Sequence, residues 1–294
     1  MTATLVSFPC PLCGRDGHPQ LYPDTLGTAL PRFGYDFTPD HMRTYRIAYC
    51  RECAHGYASP RPAQLWRQYE EVEDPAYLLR QADRIASAGR VMRRMLRYCS
   101  SGRLLDIGCA TGDFLTVARR YFDAEGLELS QWASEVARSR GLTVHRSDLA
   151  GFKPSERYDI LTLWGVIEHF EEPAREIRQM HGLLRDGGLV CLWTGDVASW
   201  PARLLGNRWW YIQGQHLQIF SRASLRSVFA QAGFQEVWVG RYPYVATLRS
   251  IAKSLSRYSV VGPAARWMLS SPALGNLAVE MALPGEMFAV FRKP

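Results

Sequence analysis

The sequence predicts an α/β fold in which a mostly parallel sheet carries helices on both faces, preceded by a small metal-binding segment. From Gly102 onward, short apolar runs alternate with amphipathic helical stretches, the pattern of parallel strands joined by helical crossovers. Before that point, four of the seven cysteines form two Cys-x-x-Cys pairs. A chain of 294 residues fits one main domain with appendages.

The strands of the predicted sheet follow one another between turn signals. We expect strands at residues 103–107, 124–129, 143–146, 158–164, 189–194, 235–241 and 286–292. The helices between them have recognisable ends: Ser130 is a plausible N-cap, Pro173 suits a first helical turn, and Gly233 closes the stripe that begins at Ser221. Helices are therefore expected at about 113–121, 130–140, from 173 to a turn at 185–188, and at 221–233.

Composition and proline placement divide the chain into three parts. Ser59-Pro-Arg-Pro62 cannot continue a helix or a central strand and marks a boundary. We expect a metal-binding segment at 1–60, a helical linker or lid at 61–101 with one amphipathic helix over 76–99, and the main domain at 102–294. Two stretches are extra to the predicted sheet, the insertions 195–220 and 243–285.

The loop after the first strand is the expected ligand site, because ligands of open α/β sheets bind beyond the carboxyl ends of the strands. Its small residues Gly108, Ala110 and Gly112 let the backbone approach a ligand and turn into the next helix. A dinucleotide site would place a pyrophosphate on Gly-x-Gly-x-x-Gly. Here the acids Asp106 and Asp113 flank the glycines, an arrangement that suits a ligand with ammonium and sulfonium charge.

Two further carboxylates stand where a nucleoside would need them. Glu128 ends the second strand, from which a carboxylate can bind both ribose hydroxyls, and Asp148 follows the third strand near an expected adenine amino group. For Asp148, a turn or capping role is the competing interpretation. The remaining expected cofactor contacts are Leu129, Leu149 and Trp164.

These motifs together resemble the class I S-adenosylmethionine-dependent methyltransferases. The resemblance covers about residues 102–234 plus the last strand. It implies a Rossmann-like seven-stranded sheet and S-adenosylmethionine as cofactor, bound at the loop and at the two later carboxylates. Ala110 departs from the family, in which glycine is commoner at that position, and leaves less clearance.

The cysteine pairs predict a structural zinc site. Cys10, Cys13, Cys50 and Cys53 have the spacing of two zinc knuckles, and four thiolates would close a tetrahedral Zn²⁺ site that leaves no position for water. We expect zinc to stabilise about sixty residues that otherwise lack a core. The nearby histidines, His18 and His55, are expected at the surface.

The acceptor of the methyl group is expected near the loops after the fourth and fifth strands. Methyl transfer requires the acceptor to be positioned and to lose a proton. Histidine has a pKa suited to that task near neutrality, so the catalytic candidates are His216 and the pair Glu168 and His169. Each could equally be a hydrogen-bonded structural group. Oxygen, nitrogen and carbon acceptors all stay open.

The excess positive charge of the chain lies late in the sequence. Residues 196–285 contain nine Lys or Arg and three Asp or Glu, a net +6 out of a total of +7. In the insertion 195–220, Arg203 and Arg208 lie among tryptophans and a tyrosine, which favours an anionic, partly flat or apolar acceptor, although a loop packed on itself is an equal interpretation. The aromatic residues concerned are Trp200, Trp209, Trp210 and Tyr211.

The second insertion contains a basic amphipathic stretch. Its apolar residues Leu248, Ile251, Leu255 and Tyr258 lie on one side, and Arg249, Lys253 and Arg257 lie on another. A lid over the active site is the favoured interpretation. Contact with a membrane surface or with a lipid-linked substrate is the alternative.

The same patterns narrow the classes of partner. The N-terminus lacks a signal-peptide pattern and no long uncharged apolar window occurs, so we expect a cytoplasmic protein without a membrane span. The metal-binding segment holds five basic and five acidic side chains, which argues against phosphate-backbone binding. Its arrangement resembles bacterial methyltransferases of small-molecule and surface-glycan biosynthesis, which implies a small-molecule or glycan-like acceptor. An RNA or DNA methyltransferase that reads its target through a zinc ribbon is the alternative.

Overall fold

The computed structural model describes residues 3–35, 42–255 and 275–294. Its centre is a seven-stranded sheet in which six strands run in one direction and one strand, second from an edge, runs antiparallel to both of its neighbours. In spatial order the strands are β10 (Gln235–Gly240), β13 (Glu286–Arg292), β8 (Leu184–Gly195), β7 (Tyr158–Trp164), β4 (Arg103–Ile107), β5 (Asp123–Glu128) and β6 (Thr143–Arg146). The Rossmann-like seven-stranded fold expected from the sequence is confirmed.

Helices connect the strands and cover the sheet. They are α1 (Gln81–Met95), α2 (Asp113–Ala118), α3 (Gln131–Ser139), α4 (Pro173–Leu183), α5 (Trp200–Leu205), α6 (Arg222–Gln231) and α7 (Leu248–Leu255). Short 3-10 helices lie at Leu65–Glu71, Pro75–Arg80, Ile167–His169 and Gly206–Arg208. Ser130 caps α3 by accepting a hydrogen bond from Ala133 N, as the sequence predicts.

The central strands are buried on both faces. Leu105, Leu161 and Val190 pack with α4 and α6 on one face, while Leu104, Ile160 and other residues pack with α1 and α2 on the opposite face. Continuous apolar runs such as that of β7 are the consequence of this burial on two sides. Because β4, β5, β6, β7 and β8 run parallel, the residues after each of them meet at one edge of the sheet.

Two predicted element boundaries are wrong. The helix expected over 76–99 is divided into the 3-10 helix Pro75–Arg80, in which Asp74 accepts a hydrogen bond from Tyr77 N, and α1. The turn expected at 185–188 is part of β8. There, Gly187 N donates to Lys293 O and Lys293 N donates to Gly188 O, so the end of the chain extends the strand pairing.

The N-terminal segment and the first insertion form a second sheet together. β1 (Gln20–Tyr22), β2 (Ile47–Cys50), β3 (His55–Ala58) and β9 (Gln218–Ile219) pair antiparallel in that order. Tyr45 and Ile47 share a buried core with Trp209 and Ile212 of the insertion. The expectation that the first sixty residues lack a core is therefore wrong, because the insertion supplies half of it. The boundaries at residues 60 and 101 stay predictions.

The second insertion lies beside α1. Its strands β11 (Tyr244–Thr247) and β12 (Ala278–Met281) pair with each other, and Ser250 donates a hydrogen bond to Asp83 of α1 at 2.6 Å. Of the predicted basic amphipathic stretch, Arg257 and Tyr258 lie outside the described residues. In the part of the chain that the structure describes, no helix has the length and apolar character needed to cross a membrane.

Candidate active site

A cavity of about 1080 Å³ opens at the carboxyl ends of the parallel strands. This volume exceeds that of most pockets for one small ligand, so it has room for a cofactor and an acceptor side by side. All predicted cofactor and catalytic residues except Gly112 line this cavity. Gly112 lies one turn further on, at the start of α2.

The loop after β4 has the close-approach geometry that its glycines indicate. A Cβ atom on Gly108 would lie 2.6 Å from Val166 Cγ2, and Gly112 has a φ of +79° at the N-terminus of α2. Ala110 has a φ of +47°, a left-handed conformation that costs an alanine more than a glycine. This conformation explains why the commoner residue at the position is glycine.

Glu128 is the residue that fixes the loop to the neighbouring strand. The side chain is buried, and its Oε2 atom accepts a hydrogen bond from Ala110 N at 2.8 Å. Its Oε1 atom accepts from Leu129 N at 2.8 Å, from Ser130 N at 2.9 Å and from the Tyr35 hydroxyl at 2.9 Å. Burial raises the pKa of Glu128, and these four donors oppose that shift.

Asp106 lies beside Glu128 and is equally buried. Its Oδ1 atom accepts a hydrogen bond from the Thr162 hydroxyl at 2.6 Å. Burial, together with the charge of Glu128, raises the pKa of Asp106 to about 8. No arginine, lysine or histidine of the described residues forms an ion pair with either carboxylate. Two buried carboxylates without a cationic partner are suited to a cationic ligand.

Asp113 does not add to this negative charge, which corrects the sequence interpretation. Its carboxylate forms ion pairs with Arg84 at 2.7 Å and with Arg140 at 2.8 Å. Those arginines come from α1 and from the end of α3, so the sequence spacing gave no sign of them. The acidic character of the site therefore comes from Asp106 and Glu128.

The expected adenine contacts also line the cavity. Asp148 Oδ1 accepts a hydrogen bond from Gly151 N at 2.7 Å, which is the turn role that competed with ligand binding. Leu129 and Leu149 are half-buried beside it. Trp164 lies further along the wall, where its ring packs 4.9 Å from that of Phe114, and the structure gives its buried indole nitrogen no hydrogen-bond partner among the described residues.

Three tyrosines that the sequence interpretation missed complete the cofactor side. Tyr35 comes from the N-terminal segment, and Tyr69 and Tyr77 come from the linker. The ring of Tyr35 lies 5.2 Å from that of Tyr77 and 6.4 Å from that of Tyr69. Tyr35 and Tyr69 lie in stretches without strand or helix periodicity, and Tyr77 lies at the start of the helix predicted over 76–99, so no pattern in the sequence marks them as neighbours of the loop.

The three predicted catalytic residues meet on the opposite side of the cavity. Glu168, His169 and His216 each offer an atom suited to metal or proton binding, and these atoms lie within 4.8 Å of one another. The rings of His169 and His216 are 4.9 Å apart. The two loops are joined by a hydrogen bond from Leu217 N to Glu168 O at 2.8 Å. We name these three residues the Glu-His-His cluster.

A family model described as a methyltransferase domain matches residues 78–238, more than half of the chain. The chain belongs to this methyltransferase family. It is a class I S-adenosylmethionine-dependent methyltransferase, and the matched region holds the loop after β4, Glu128, Asp148 and all of the Glu-His-His cluster.

The methyltransferase is similar in sequence to a known plant methyltransferase. It is 27% identical over 148 residues to 2-methyl-6-phytyl-1,4-hydroquinone methyltransferase 1, a chloroplastic protein of Oryza sativa subsp. japonica. This match covers 47% of the chain and only 42% of the rice protein. The chain therefore spans less than half the length of the rice protein.

Two solved structures share the fold. A methyltransferase from Thermotoga maritima, described as a possible histamine N-methyltransferase, is 19% identical with a TM-score of 0.50, over 74% of this chain and 93% of that one. Magnesium protoporphyrin IX methyltransferase from Synechocystis PCC 6803, solved with bound SAH, is 13% identical with a TM-score of 0.50, over 78% of this chain and 93% of that one.

Another part of the cavity wall is aromatic and acidic. Glu286 is buried in the cavity wall, where it accepts hydrogen bonds from Trp193 Nε1 at 3.0 Å and from Trp210 Nε1 at 3.3 Å. Arg203 and Arg208 are exposed and do not line the cavity. The arginines that favoured an anionic acceptor therefore lie away from the site.

The cysteine pairs meet at one end of the second sheet. Cys13 Sγ lies 3.8 Å from Cys50 Sγ, and the Cys13 thiol also contacts those of Cys10 and Cys53. His18 is half-buried, and one of its ring nitrogens lies within 4.8 Å of the sulfur atoms of Cys10, Cys13 and Cys50. His55 is fully buried and bonds Gln218 at 2.9 Å, so its expected place at the surface is wrong.

Proposed function

We propose that the methyltransferase binds S-adenosylmethionine along the loop after β4 and methylates a small-molecule or glycan-like acceptor in the same cavity. The observation that supports this best is the pair of buried carboxylates, Asp106 and Glu128, which have no ion-pair partner among the described residues. S-adenosylmethionine carries an ammonium group and a sulfonium. A ligand with those charges would relieve the cost of burying the two acids.

The parts of the cofactor have natural places in this cavity. The ribose hydroxyls would donate to the carboxylate of Glu128, and the adenine would lie near Asp148 and Leu149. The methionine portion would follow the loop past Gly108, which lines the cavity. This orientation directs the sulfonium methyl group toward the Glu-His-His cluster.

The shape and chemistry of the acceptor side favour a small molecule. The N-terminal segment, the linker and both insertions each contribute residues to the wall, for example Tyr35, Tyr69, Tyr211 and Tyr244. A single base of a folded nucleic acid would have to pass these elements. The wall carries Glu168 and Glu286, but Arg80 and Arg175 line the same cavity, so the anionic character of the acceptor stays a prediction.

The chemistry assigned to the site is an in-line displacement. The acceptor atom loses its proton and attacks the methyl carbon, the carbon–sulfur bond breaks, and the electron pair stays on sulfur as S-adenosylhomocysteine leaves. The protein contributes by positioning the acceptor and by lowering the cost of removing its proton. We assign that task to the Glu-His-His cluster, because its groups line the acceptor side of the cavity.

We propose in addition that Cys10, Cys13, Cys50 and Cys53 hold a structural Zn²⁺ ion. With zinc–sulfur bonds of about 2.3 Å, the sulfur atoms of a tetrahedral site lie about 3.8 Å apart. The separation between Cys13 Sγ and Cys50 Sγ is 3.8 Å, which fits this geometry. Elemental analysis of purified protein should find zinc, and a fully folded protein whose cysteine sites hold no metal would contradict the assignment.

The experiment that tests the proposed function is a transfer assay with labelled S-adenosylmethionine and a panel of hydroxylated and amine-bearing small molecules. We expect label to enter at least one of them and S-adenosylhomocysteine to form in equal amount. A matched reaction with Glu128→Gln protein is the control, since this change removes the expected ribose contact. Transfer only to RNA or DNA would contradict the proposal.

A further inference from the structure

We propose that the Glu-His-His cluster binds a divalent first-row transition-metal ion that holds the acceptor. This inference rests on the proposed function, because it gives a specific role to side chains already assigned to the acceptor. The metal would be separate from the cysteine site: one is formed by thiolates in the second sheet, the other by imidazole and carboxylate groups in the cavity.

The ligand set is the first argument. Two histidines and one carboxylate form a set typical of ions such as Zn²⁺, Co²⁺ and Fe²⁺, with coordination positions left open for a substrate. Glu168 and His216 are buried, and His169 is half-buried. The three ligand atoms lie within 4.8 Å of one another, and side-chain shifts of about 1 Å would bring them to one ion.

The hydrogen bonds of the two imidazoles are the second argument. His169 Nδ1 lies 2.8 Å from Gln215 O, and His216 Nδ1 lies 2.7 Å from Tyr211 O. A carbonyl oxygen can only accept, so each Nδ1 donates to it and the metal would bind at Nε2, which in His169 lies 3.5 Å from the Tyr69 hydroxyl. Donation from the other ring nitrogen to a backbone carbonyl is the usual arrangement of metal-binding histidines.

The environment of Glu168 is the third argument. Its Oε2 atom accepts a hydrogen bond from the Thr194 hydroxyl at 3.1 Å, and the Tyr211 hydroxyl lies 2.7 Å from Thr194 Oγ1. Because Thr194 donates to the carboxylate, Tyr211 donates to Thr194. A carboxylate ligand held by such a relay has a fixed orientation toward the ion.

The ion would change the chemistry of the acceptor in a definite way. An acceptor hydroxyl bound to the metal has a lowered pKa, so its proton passes to solvent and the metal-bound oxygen attacks the methyl carbon. The histidines then act as ligands and not as free bases. The carbon–sulfur bond still breaks with its electron pair on sulfur, so no oxidant or reductant is needed.

Metal content of the full-length protein tests the proposal directly. Protein saturated with Co²⁺ and desalted should contain two ions per chain, one at each site. Thiolate-bound Co²⁺ gives an intense charge-transfer band, whereas an imidazole and carboxylate site gives weak visible bands alone. In the variants His169→Ala and His216→Ala, we expect one ion per chain with the thiolate band unchanged.

Three further variants cover the case in which the histidine variants fail to fold. Thr194→Val removes the hydroxyl that donates to Glu168 and that also bonds the Tyr211 hydroxyl, and it should weaken Co²⁺ binding at the second site roughly 10–100-fold. Tyr69→Phe removes a hydroxyl 3.2 Å from His169 Nδ1 but no proposed ligand, and should keep both ions. His145→Gln, a histidine outside the cavity, controls for histidine number.

The possible results separate the metal proposal from the proposed function. One Co²⁺ ion per wild-type chain at saturation, with only the thiolate spectrum, would overturn the metal site. If that protein still transferred methyl groups after chelator treatment, the proposed function would stand and the cluster would act through its imidazoles. Two ions per chain together with no binding of S-adenosylhomocysteine would support the metal site and refute the proposed function.

Discussion

The substitution Glu128→Gln tests the cofactor side of the account most sharply. The carboxylate accepts four hydrogen bonds, three at Oε1 and one at Oε2 from Ala110 N. A glutamine can place its amide oxygen where Oε1 lies, but its NH₂ group then takes the place of Oε2 and points at Ala110 N, 2.8 Å away. One charge-assisted hydrogen bond is lost and two donors face each other.

The magnitude follows from those contacts. Loss of a hydrogen bond to a charged group costs about 1.5–3 kcal/mol, and relief of the buried charge offsets part of it. We expect the free energy of unfolding to fall by about 2 kcal/mol, which lowers Tm by roughly 4–8 °C in a chain of this size. Affinity for S-adenosylhomocysteine should fall at least about tenfold, because an amide NH₂ cannot accept from a ribose hydroxyl.

Isothermal titration calorimetry and thermal unfolding measure the two effects. The matched control is Glu135→Gln, on the exposed face of α3, where the carboxylate contacts only Gln131 at 2.9 Å. It should leave both the affinity and Tm unchanged. If Glu128→Gln bound S-adenosylhomocysteine within threefold of the wild-type value, Glu128 would not be the ribose ligand.

Three further predictions concern single groups. Tyr35→Phe should bind S-adenosylhomocysteine about fivefold more tightly by calorimetry, because the ribose no longer displaces the tyrosine hydroxyl from Glu128; weaker binding would show that Tyr35 assists the ligand. Asp106 faces Glu128 and has a pKa of about 8, so binding of the ligand's ammonium group at pH 7 should make the Asp106 carboxyl lose close to one proton to the buffer. The measured binding enthalpy should therefore vary with the buffer for the wild type and should not vary for Asp106→Asn. Burial raises the pKa of Glu176 to about 8, and the charges of Glu172 and Glu171 act in the same direction, so its ionisation destabilises the fold as pH rises from 4.5 to 8, by roughly 1.4 kcal/mol per pH unit. Glu176→Gln should therefore unfold at the same urea concentration as the wild type near pH 4.5 and at a higher one at pH 8, and equal midpoints at pH 8 would refute this.

The central sheet could be predicted because its strands are buried on two faces. β4 and β7 are rich in Leu and Ile and are each followed by a glycine, and burial on both faces of a parallel strand favours such apolar residues. The turn expected at 185–188 failed for the opposite reason. Its glycines look like a turn, but strand pairing with Lys293, more than a hundred residues later, decides the conformation.

The residues of the candidate site also fall into those that could be predicted from the sequence and those that could not. Asp106, Glu128 and Asp148 could be found because each directly follows or ends a strand whose carboxyl end lies at one edge of the sheet. Tyr35, Arg84 and other wall residues could not, because their positions depend on how segments outside the sheet pack on it. The ion pairs that neutralise Asp113 are of this kind, since Arg84 lies on α1 and Arg140 at the end of α3.

The shared core of the second sheet was also beyond sequence reasoning. β9 is two residues long and carries no periodic pattern, yet it pairs with β3 and closes the sheet. This contact joins the cysteine segment to the loop that holds His216. A consequence is that the cysteine segment and the cavity wall around His216 form one structural unit.

The central claim is that S-adenosylmethionine binds at the loop after β4 with its methyl group directed toward the Glu-His-His cluster. A crystal structure of the protein with S-adenosylhomocysteine tests it most directly. We expect the ribose hydroxyls within hydrogen-bond distance of Glu128, the adenine beside Asp148, and the sulfur facing His169 and His216 across an open space. A nucleoside bound elsewhere, or a sulfur turned away from these histidines, would contradict the account.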